Sequence, residues 1–500
     1  MMKKWSSFLT GHPELFQNNS VVSLFRKACE HDPGKVAVVA ESEQCTYGEL
    51  ERRSNQIARA LTKTGVAPGS IIAISTGRSP LTIAAILAIW KTGAAYVYFD
   101  SHSPQDYNNY IQKLCAVQRN INMEFLQKAV AEESDEYFEE QGTPDRLAVV
   151  IFTSGSTGYP KGVKLTHVSL LCSASNGCLV LGIDSDDHWG FFASFMFIAF
   201  VNDICTTLIL GATAYLIPKE IKKDIRKLAE FYIQAGITVT YLPPHMAMKY
   251  MDMPQSPSLR LLLVGSEPTR NLKKQDYSIV NIYASSEACS IISYYEVKDS
   301  RPEYPIGTMM PTYRYYIVDE EGRQVEPGEK GELWLSSRQL FCGYLKQEEL
   351  TAKKLTPNPF SSDPGFEMVF HTDDIVSEGP DGLIYHGRRD HMVKVRGFRI
   401  ELNGVEQHIL RFPGIREVCC TVFRDKGGTN ILFAYYISSE EIDHEKLRAF
   451  LESEMPYYMV PSCIIPMDKF PLTLSGKVAR NMFTPPPELN DRPTLLKLYR

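Results

Sequence analysis

The sequence predicts an α/β protein. A large N-terminal body of mixed, mainly parallel sheets covered by helices is joined to a β region and followed by a small α+β C-terminal domain. Three observations carry this expectation. Short apolar segments alternate with amphipathic ones through most of the length; near 305–345 the texture changes to strands punctuated by Gly and Pro; and at 387–415 charged residues crowd together before an α/β pattern begins afresh. In chain order, VAVVA (36–40) reads as a buried strand and ELERRSNQIARALTKTG (49–65) as an amphipathic helix. IIAIST (71–76) and LTIAAILAIWKTG (81–93) repeat the pair. The apolar stretch FIAFVNDICTTLILGATAYLI (197–217) is interrupted by Asn202, Asp203 and Gly211, so it reads as a buried helix running into a buried strand rather than a membrane span. YRYYIVDEEGRQVEPGEKGELWLS (313–336) has the look of antiparallel strands. VCCTVF (418–423), ILFAYYI (431–437) and HEKLRAFLESEM (444–455) supply two strands and a helix for the last domain. The boundary is expected at about Arg389–Asp390, giving domains 1–389 and 390–500, the second of roughly 110 residues and so of ordinary size.

Composition excludes several classes. Hydrophobic residues make up 44% and charged residues 22% of the 500, which describes a globular chain with ample core, and the length calls for at least two domains. A net charge of −6 without a basic block argues against nucleic acid as a partner. The 11 cysteines are scattered, with Cys419 and Cys420 adjacent and no Cys-x-x-Cys, which fits neither a disulfide framework nor a zinc site. The N-terminus MMKKWSSFLTGHPELF lacks the sustained apolar run of a signal peptide, so a cytoplasmic location without membrane attachment is expected.

The segment IFTSGSTGYPKGVKLTH (151–167) packs hydroxyls, three glycines and Lys161 between two apolar runs. Glycines let backbone N–H groups approach an anion, and hydroxyls and a lysine add donors and charge. It is not a P-loop, because Lys161 follows Pro160 and precedes Gly162. Alone, the stretch 153–162 reads just as naturally as an ordinary Ser/Gly surface loop, the commoner origin of such a composition.

It does not stand alone. CTYGEL (45–50), WKTGAAYV (90–97), the loop itself, NIYASSEA (281–288), GELWLSSRQLFCGYLKQEELT (331–351), FHTDDIV (370–376), GRRDHMVKVRGFRIELNGVE (387–406) and PLTLSGKVAR (471–480) follow one another. In that order they resemble the adenylate-forming superfamily of acyl-CoA synthetases, luciferases and nonribosomal peptide synthetase adenylation domains. The likeness is strongest to a stand-alone adenylation domain. The resemblance implies ATP and Mg²⁺ as cofactors and a mobile C-terminal domain. It implies that Thr153, Ser154, Gly155, Ser156, Thr157, Gly158 and Lys161 form a loop over the β- and γ-phosphates. Tyr283 would stack on adenine, Ser286 contact the α-phosphate and Glu287 hold Mg²⁺. Asp374 would take the ribose hydroxyls, Arg388 sit beside ribose or phosphate, Asp390 lie at the hinge, and Lys477 reach the acid and the α-phosphate. Two departures stand out: the usual Y-G-P-T-E is Tyr283-Ala284-Ser285-Ser286-Glu287, and the usual T-G-D is Thr372-Asp373-Asp374, with a second carboxylate.

The same resemblance transfers a substrate pocket: Phe197, Ile198, Ala199, Asn202, Tyr241, Leu262, Val264, Ile282, Ser290 and Ile291. Relatives that activate α-amino acids hold the amine with an aspartate where this chain has Ile198. An ammonium buried there would lack a partner. The expected substrate is a small or medium uncharged acid. A β-amino acid stays open if Asn202 or Asp203 reaches a displaced amine, and Asp203 is also readable as structural. The chain ends about twenty residues beyond Lys477 without a carrier domain, so the expected thiol acceptor is phosphopantetheine on a separate carrier protein, or coenzyme A. A degenerate, non-catalytic nucleotide-binding relative is the remaining alternative.

Overall fold

The computed structural model describes residues 5–487 except 42, 101–102, 156–158, 390–391, 426–427 and 472–477. The chain folds into two compact units. The first comprises Met1–Phe99, Leu114–Phe152 and Gly162–Arg389, and the second Asp100–Lys113, Thr153–Lys161 and Asp390–Arg500.

The first unit is built on three sheets. In the nine-stranded sheet the order is Thr308–Met309, Ser290–Glu296, Ser278–Ser285, Leu261–Gly265, Val239–Leu242, His188–Phe191, Thr213–Leu216, Val36–Ala40, Glu43–Thr46. Its middle, from Ser278–Ser285 to Val36–Ala40, runs parallel, and only the outer strands are antiparallel. A second sheet sets Arg119–Ile121, Ile71–Ile74, Ala95–Tyr98 and Leu147–Thr153 parallel. The third is antiparallel, with Gly331–Ser336 between Arg314–Val318 and the long strand Met368–Gly379, which also pairs with Gly382–Arg388.

Local chemistry explains the helices that brace these sheets. Thr46 caps Tyr47–Lys63 in a reciprocal box with Glu49, worth about 1 kcal/mol. Ser79 caps Pro80–Lys91, with proline at the first helical position and every residue from Thr82 to Lys91 buried. The stretch 197–217 is the helix Ile198–Leu210 followed by the strand Thr213–Leu216. The helix stops at Gly211, whose φ of 77° places it in the left-handed region that glycine adopts freely. Among the described residues no helix is long and apolar enough to cross a membrane.

In the second unit a hairpin (Met392–Val395 with Phe398–Glu401) leads into the helix Leu402–Ile409 and a three-stranded sheet, Ile415–Arg424, Asn430–Ser438 and Cys463–Pro466. This unit has its own core, in which Ile400, Val405 and Ile409 meet Leu432, Ala434, Leu447 and Leu451.

Candidate active site

The strand Ser278–Ser285 ends in the turn that begins at Ser286, and the strand Met368–Gly379 runs through Asp374. These elements bring three of the residues named from sequence into direct contact. Tyr283 donates its hydroxyl to Asp374 Oδ2, and Arg388 Nη1 donates to Asp374 Oδ1 at 2.9 Å. The register of the two antiparallel strands sets Asp374 opposite Arg388, so the pair is fixed by backbone pairing before the side chains meet. Thr372 steadies the aspartate: its Oγ1 accepts from the Asp374 N–H at 3.0 Å and donates to the Leu333 carbonyl at 2.7 Å. Burial and the neighbouring Asp374 carboxylate push the Tyr283 hydroxyl well above the ordinary tyrosine value, so it remains a donor at neutral pH. The ring of Tyr385 lies 6.4 Å from that of Tyr283, tilted by 39°.

Glu287 is fully buried. Its Oε1 accepts from the Tyr344 hydroxyl at 2.9 Å, and its carbonyl accepts from the Phe341 N–H at 2.8 Å. A buried carboxylate oriented by a tyrosine hydroxyl suits Mg²⁺, which takes one or two protein carboxylates and completes its shell with phosphate and water. Among the described residues there is no cluster of His, Cys, Asp or Glu that would form an all-protein cage. Ser286 is half-buried and its carbonyl accepts from the Cys289 N–H at 3.1 Å. The turn closes with Cys289 and Ser290 both at positive φ, 50° and 93°.

Beside this constellation, Asp373 has φ 61°. For an L-residue that region costs about 1–2 kcal/mol, less for Asp, whose short polar side chain can bond locally. Lys354 Nζ donates to its Oδ2, and Arg388 Nη2 stands 3.6 Å from the same oxygen.

The second unit holds the other group of named residues. Ser154 Oγ donates to the Arg399 carbonyl at 2.8 Å and accepts from the Glu401 N–H at 3.1 Å, while Lys161 Nζ lies 3.7 Å from Glu401 Oε1. Thr153 is buried, and its hydroxyl has no hydrogen-bond partner among the described residues. Gly155 is required sterically, because a Cβ there would collide with the Tyr159 carbonyl oxygen. Ser156, Thr157, Gly158, Asp390 and Lys477 lie outside the described residues.

The residues transferred as a substrate pocket divide. Phe197 is the N-cap of the helix Ile198–Leu210. Ile198 and Ile291 belong to the main apolar core, with Ala199, Tyr241, Ile282 and Tyr283 packed against it. Asn202, one turn along the helix, accepts from Ser173 Oγ at 2.6 Å, and the Tyr241 and Ser266 hydroxyls are 2.7 Å apart. Ser290 is buried in the turn noted above. Leu262 and Val264 do not join this group. They pack with Leu242 and Ile279 in a separate core, while their neighbours Leu261 and Leu263 share the core of Ile198. Strand alternation is the reason, since successive side chains of Leu261–Gly265 point to opposite faces.

Tyr344, Lys354 and Arg78 were not singled out by motif. Tyr344 sits inside GELWLSSRQLFCGYLKQEELT and was there to be read. Lys354 ends a short helix, Glu348–Lys354, and nothing in its spacing separates it from a solvated lysine. Arg78 donates to the Ala193 and Phe191 carbonyls at 2.9 and 2.6 Å and lies over the Phe195 ring; burial pulls it down to about 10. Asp203 is buried, its Oδ2 has no hydrogen-bond partner among the described residues, and desolvation raises it well above the carboxylate range.

Comparison with known proteins gives this geometry a lineage. The AMP-binding enzyme family model matches residues 25–345, and the AMP-binding enzyme C-terminal domain matches residues 404–477. The chain belongs to the AMP-binding enzymes, the adenylate-forming ligases. Tyrocidine synthase 2 of Brevibacillus parabrevis is 34% identical over 507 residues, covering 97% of this chain and 14% of that protein. Bacitracin synthase 1 of Bacillus licheniformis is 33% identical over 504 residues, covering 97% and 9%. The chain thus spans only a small part of the length of these relatives. Among solved structures, an artificially fused adenylation–PCP di-domain from Klebsiella oxytoca superimposes with a TM-score of 0.79 at 22% identity, covering 90% of this chain and 94% of that one. An o-succinylbenzoate CoA synthetase from Bacillus subtilis does so with 0.79 at 20%, covering 94% and 98%. At such identities these likenesses establish the shared fold.

Proposed function

We propose that the protein uses ATP to adenylate a small or medium carboxylic acid lacking an α-ammonium, and passes the acyl group to the phosphopantetheine thiol of a carrier protein. The observation that carries the reading is the Tyr283–Asp374–Arg388 constellation. A carboxylate accepts from two adjacent hydroxyls at once, and this one is oriented by a tyrosine, an arginine and a backbone-anchored threonine, as a ribose anchor requires. In the first half-reaction an oxygen of the acid bonds to the α-phosphorus of ATP, the α–β anhydride bond breaks and pyrophosphate leaves. Negative charge meets negative charge, so cations and N–H donors matter more than an acid–base pair. Glu287 is the residue that would hold Mg²⁺, which when bound neutralises charge on the phosphates. In the second half-reaction the thiol bonds to the acyl carbon and AMP departs. The roles of Thr153, Ser154, Lys161, Asp390 and Lys477 rest on the sequence resemblance alone.

The pocket side of the reading is supported by Ile198, buried at the start of its helix, and by Asp203. Burial favours the neutral form of Asp203, and a neutral carboxyl offers no charge to an ammonium. The carrier protein is favoured by relatives that are peptide synthases and by a structural neighbour fused to a PCP. Coenzyme A is a second reading, favoured by the CoA synthetase neighbour. ATP–pyrophosphate exchange across a panel of carboxylic acids tests the first half-reaction. Exchange that depends on an uncharged acid is expected; no exchange with any acid would leave the non-catalytic relative instead.

A further inference from the structure

Two residues three apart in one turn hold Glu287 by its backbone and by its side chain. The Phe341 N–H donates to the Glu287 carbonyl at 2.8 Å, and the Tyr344 hydroxyl donates to Glu287 Oε1 at 2.9 Å. Both members of the side-chain pair are buried, Tyr344 at 3% exposure and Glu287 at 0%. The turn is itself anchored. Its Cys342 and Leu345 N–H groups donate to the Lys164 and Gly162 carbonyls at 2.9 and 2.8 Å, and the Lys164 N–H donates to the Gly343 carbonyl at 3.1 Å. These bonds tie it to the strand Lys161–Thr166, which follows the glycine-rich segment in the chain. On its other side the Tyr344 N–H donates to Thr351 Oγ1 at 2.9 Å. Gly343, at φ 114°, passes so near Thr351 that a Cβ there would meet its methyl carbon at 2.8 Å. The Phe341 ring meets the Tyr344 ring edge-on, with centroids 4.9 Å apart.

We propose that Tyr344 is a positioning residue for the metal ion of the reaction: its hydroxyl fixes the rotation of the Glu287 carboxylate, so that the ligand is set before a metal–nucleotide arrives. This rests on the adenylation reading above, in which Glu287 holds Mg²⁺. A phenylalanine ring would fill the same buried space, and a buried hydroxyl is costly unless it is bonded. The bond to Glu287 offsets that cost. A carboxylate bonded on one oxygen loses the freedom to turn about its last torsion, and the anchored turn makes the hydroxyl a fixed point rather than one that follows the carboxylate. Removing such an outer partner lowers the metal affinity of a site by about ten- to a hundredfold.

Tyr344→Phe removes the hydroxyl and keeps the ring, so the variant should fold, which its melting transition checks. Calorimetric titration of the full chain with β,γ-methylene-ATP, once with excess Mg²⁺ and once with EDTA, reads what the metal adds to nucleotide binding. The unmodified protein is expected to bind more tightly with Mg²⁺. In Tyr344→Phe that advantage should shrink by about tenfold, or vanish where it is smaller, with affinity in EDTA moved by less than about threefold. The Mg²⁺ concentration that half-saturates pyrophosphate exchange should rise as well, with the KM for the acid within about twofold. An unchanged Mg²⁺ advantage overturns the proposal. Equal loss of affinity with and without the metal also overturns it, because the hydroxyl is then a structural partner of a buried carboxylate and nothing more. Absence of any Mg²⁺ advantage in the unmodified protein overturns instead the assignment of Glu287 to the metal, and with it that part of the adenylation reading.

Discussion

The constellation of Tyr283, Asp374 and Arg388 and the region around Ile198 are built by opposite means. At Tyr283, Asp374, Arg388 and Asp373 each polar group is placed by a hydrogen bond or an ion pair with another. Around Ile198 the walls are apolar and held by packing: Ile198, Ile291 and their neighbours are part of the main core, and the nearby Asp203 is pushed towards its neutral form. The difference teaches where specificity is stored. A charged network fixes distances and suits a ligand that does not vary, as ATP would be in the proposed reaction. An apolar wall discriminates weakly by size and strongly against unpaired charge, which suits a pocket that decides among acids.

The largest effect should come from breaking the charged side. Asp374→Ala removes the acceptor of the Tyr283 hydroxyl, one of the two carboxylates beside Arg388, and the proposed ribose acceptor. Losing hydrogen bonds to a charged group costs about 1.5–3 kcal/mol each, so exchange should fall by about a hundredfold or more, with a lower melting temperature. Near-normal exchange by this variant would remove Asp374 from the site.

A smaller effect should appear on the apolar side. Ile198→Asp should raise exchange with small α-amino acids and depress it with the native acid, by an unpaired-group penalty of roughly 1–3 kcal/mol, or about ten- to a hundredfold in relative specificity. No change in preference would mean that Ile198 does not face the α-carbon.

The subtlest prediction concerns Asp203 and pH. Its folded-state value is raised, so between about 4, where an unfolded aspartate titrates, and the folded value the native state binds the extra proton. Stability contributed by this group is therefore greatest at low pH and declines as pH rises, by at most about 1.4 kcal/mol per unit. Asp203→Asn should abolish that component. Superimposable denaturation profiles of the two proteins across pH 4–8 would show that Asp203 is solvated as readily folded as unfolded.

Much of this organisation is legible in the sequence, for reasons that differ by region. Apolar alternation marks the strand Val36–Ala40 and the helix Pro80–Lys91, and Gly211 breaks the long apolar run where the helix ends. The three residues that meet at Asp374 were all named from their motifs, because each has a chemistry that few residue types supply. Leu262 and Val264 show where motif transfer loses contact with geometry: along a strand, one position decides the face, and nothing in an all-apolar LLLV announces which face is which. Lys354 was illegible for a different reason, since its partner Asp373 lies in another element and only folding brings the two charges together.

The central claim is that an adenylate-forming site meets a pocket without a counter-charge for an α-ammonium. Pyrophosphate exchange by the unmodified protein with matched acids of one carbon skeleton, bearing hydrogen, hydroxyl, keto or ammonium at the α-carbon, tests it most directly. The account predicts robust exchange with one or more of the uncharged members and little with the α-amino acid. Preferred activation of the α-amino acid across skeletons would contradict it.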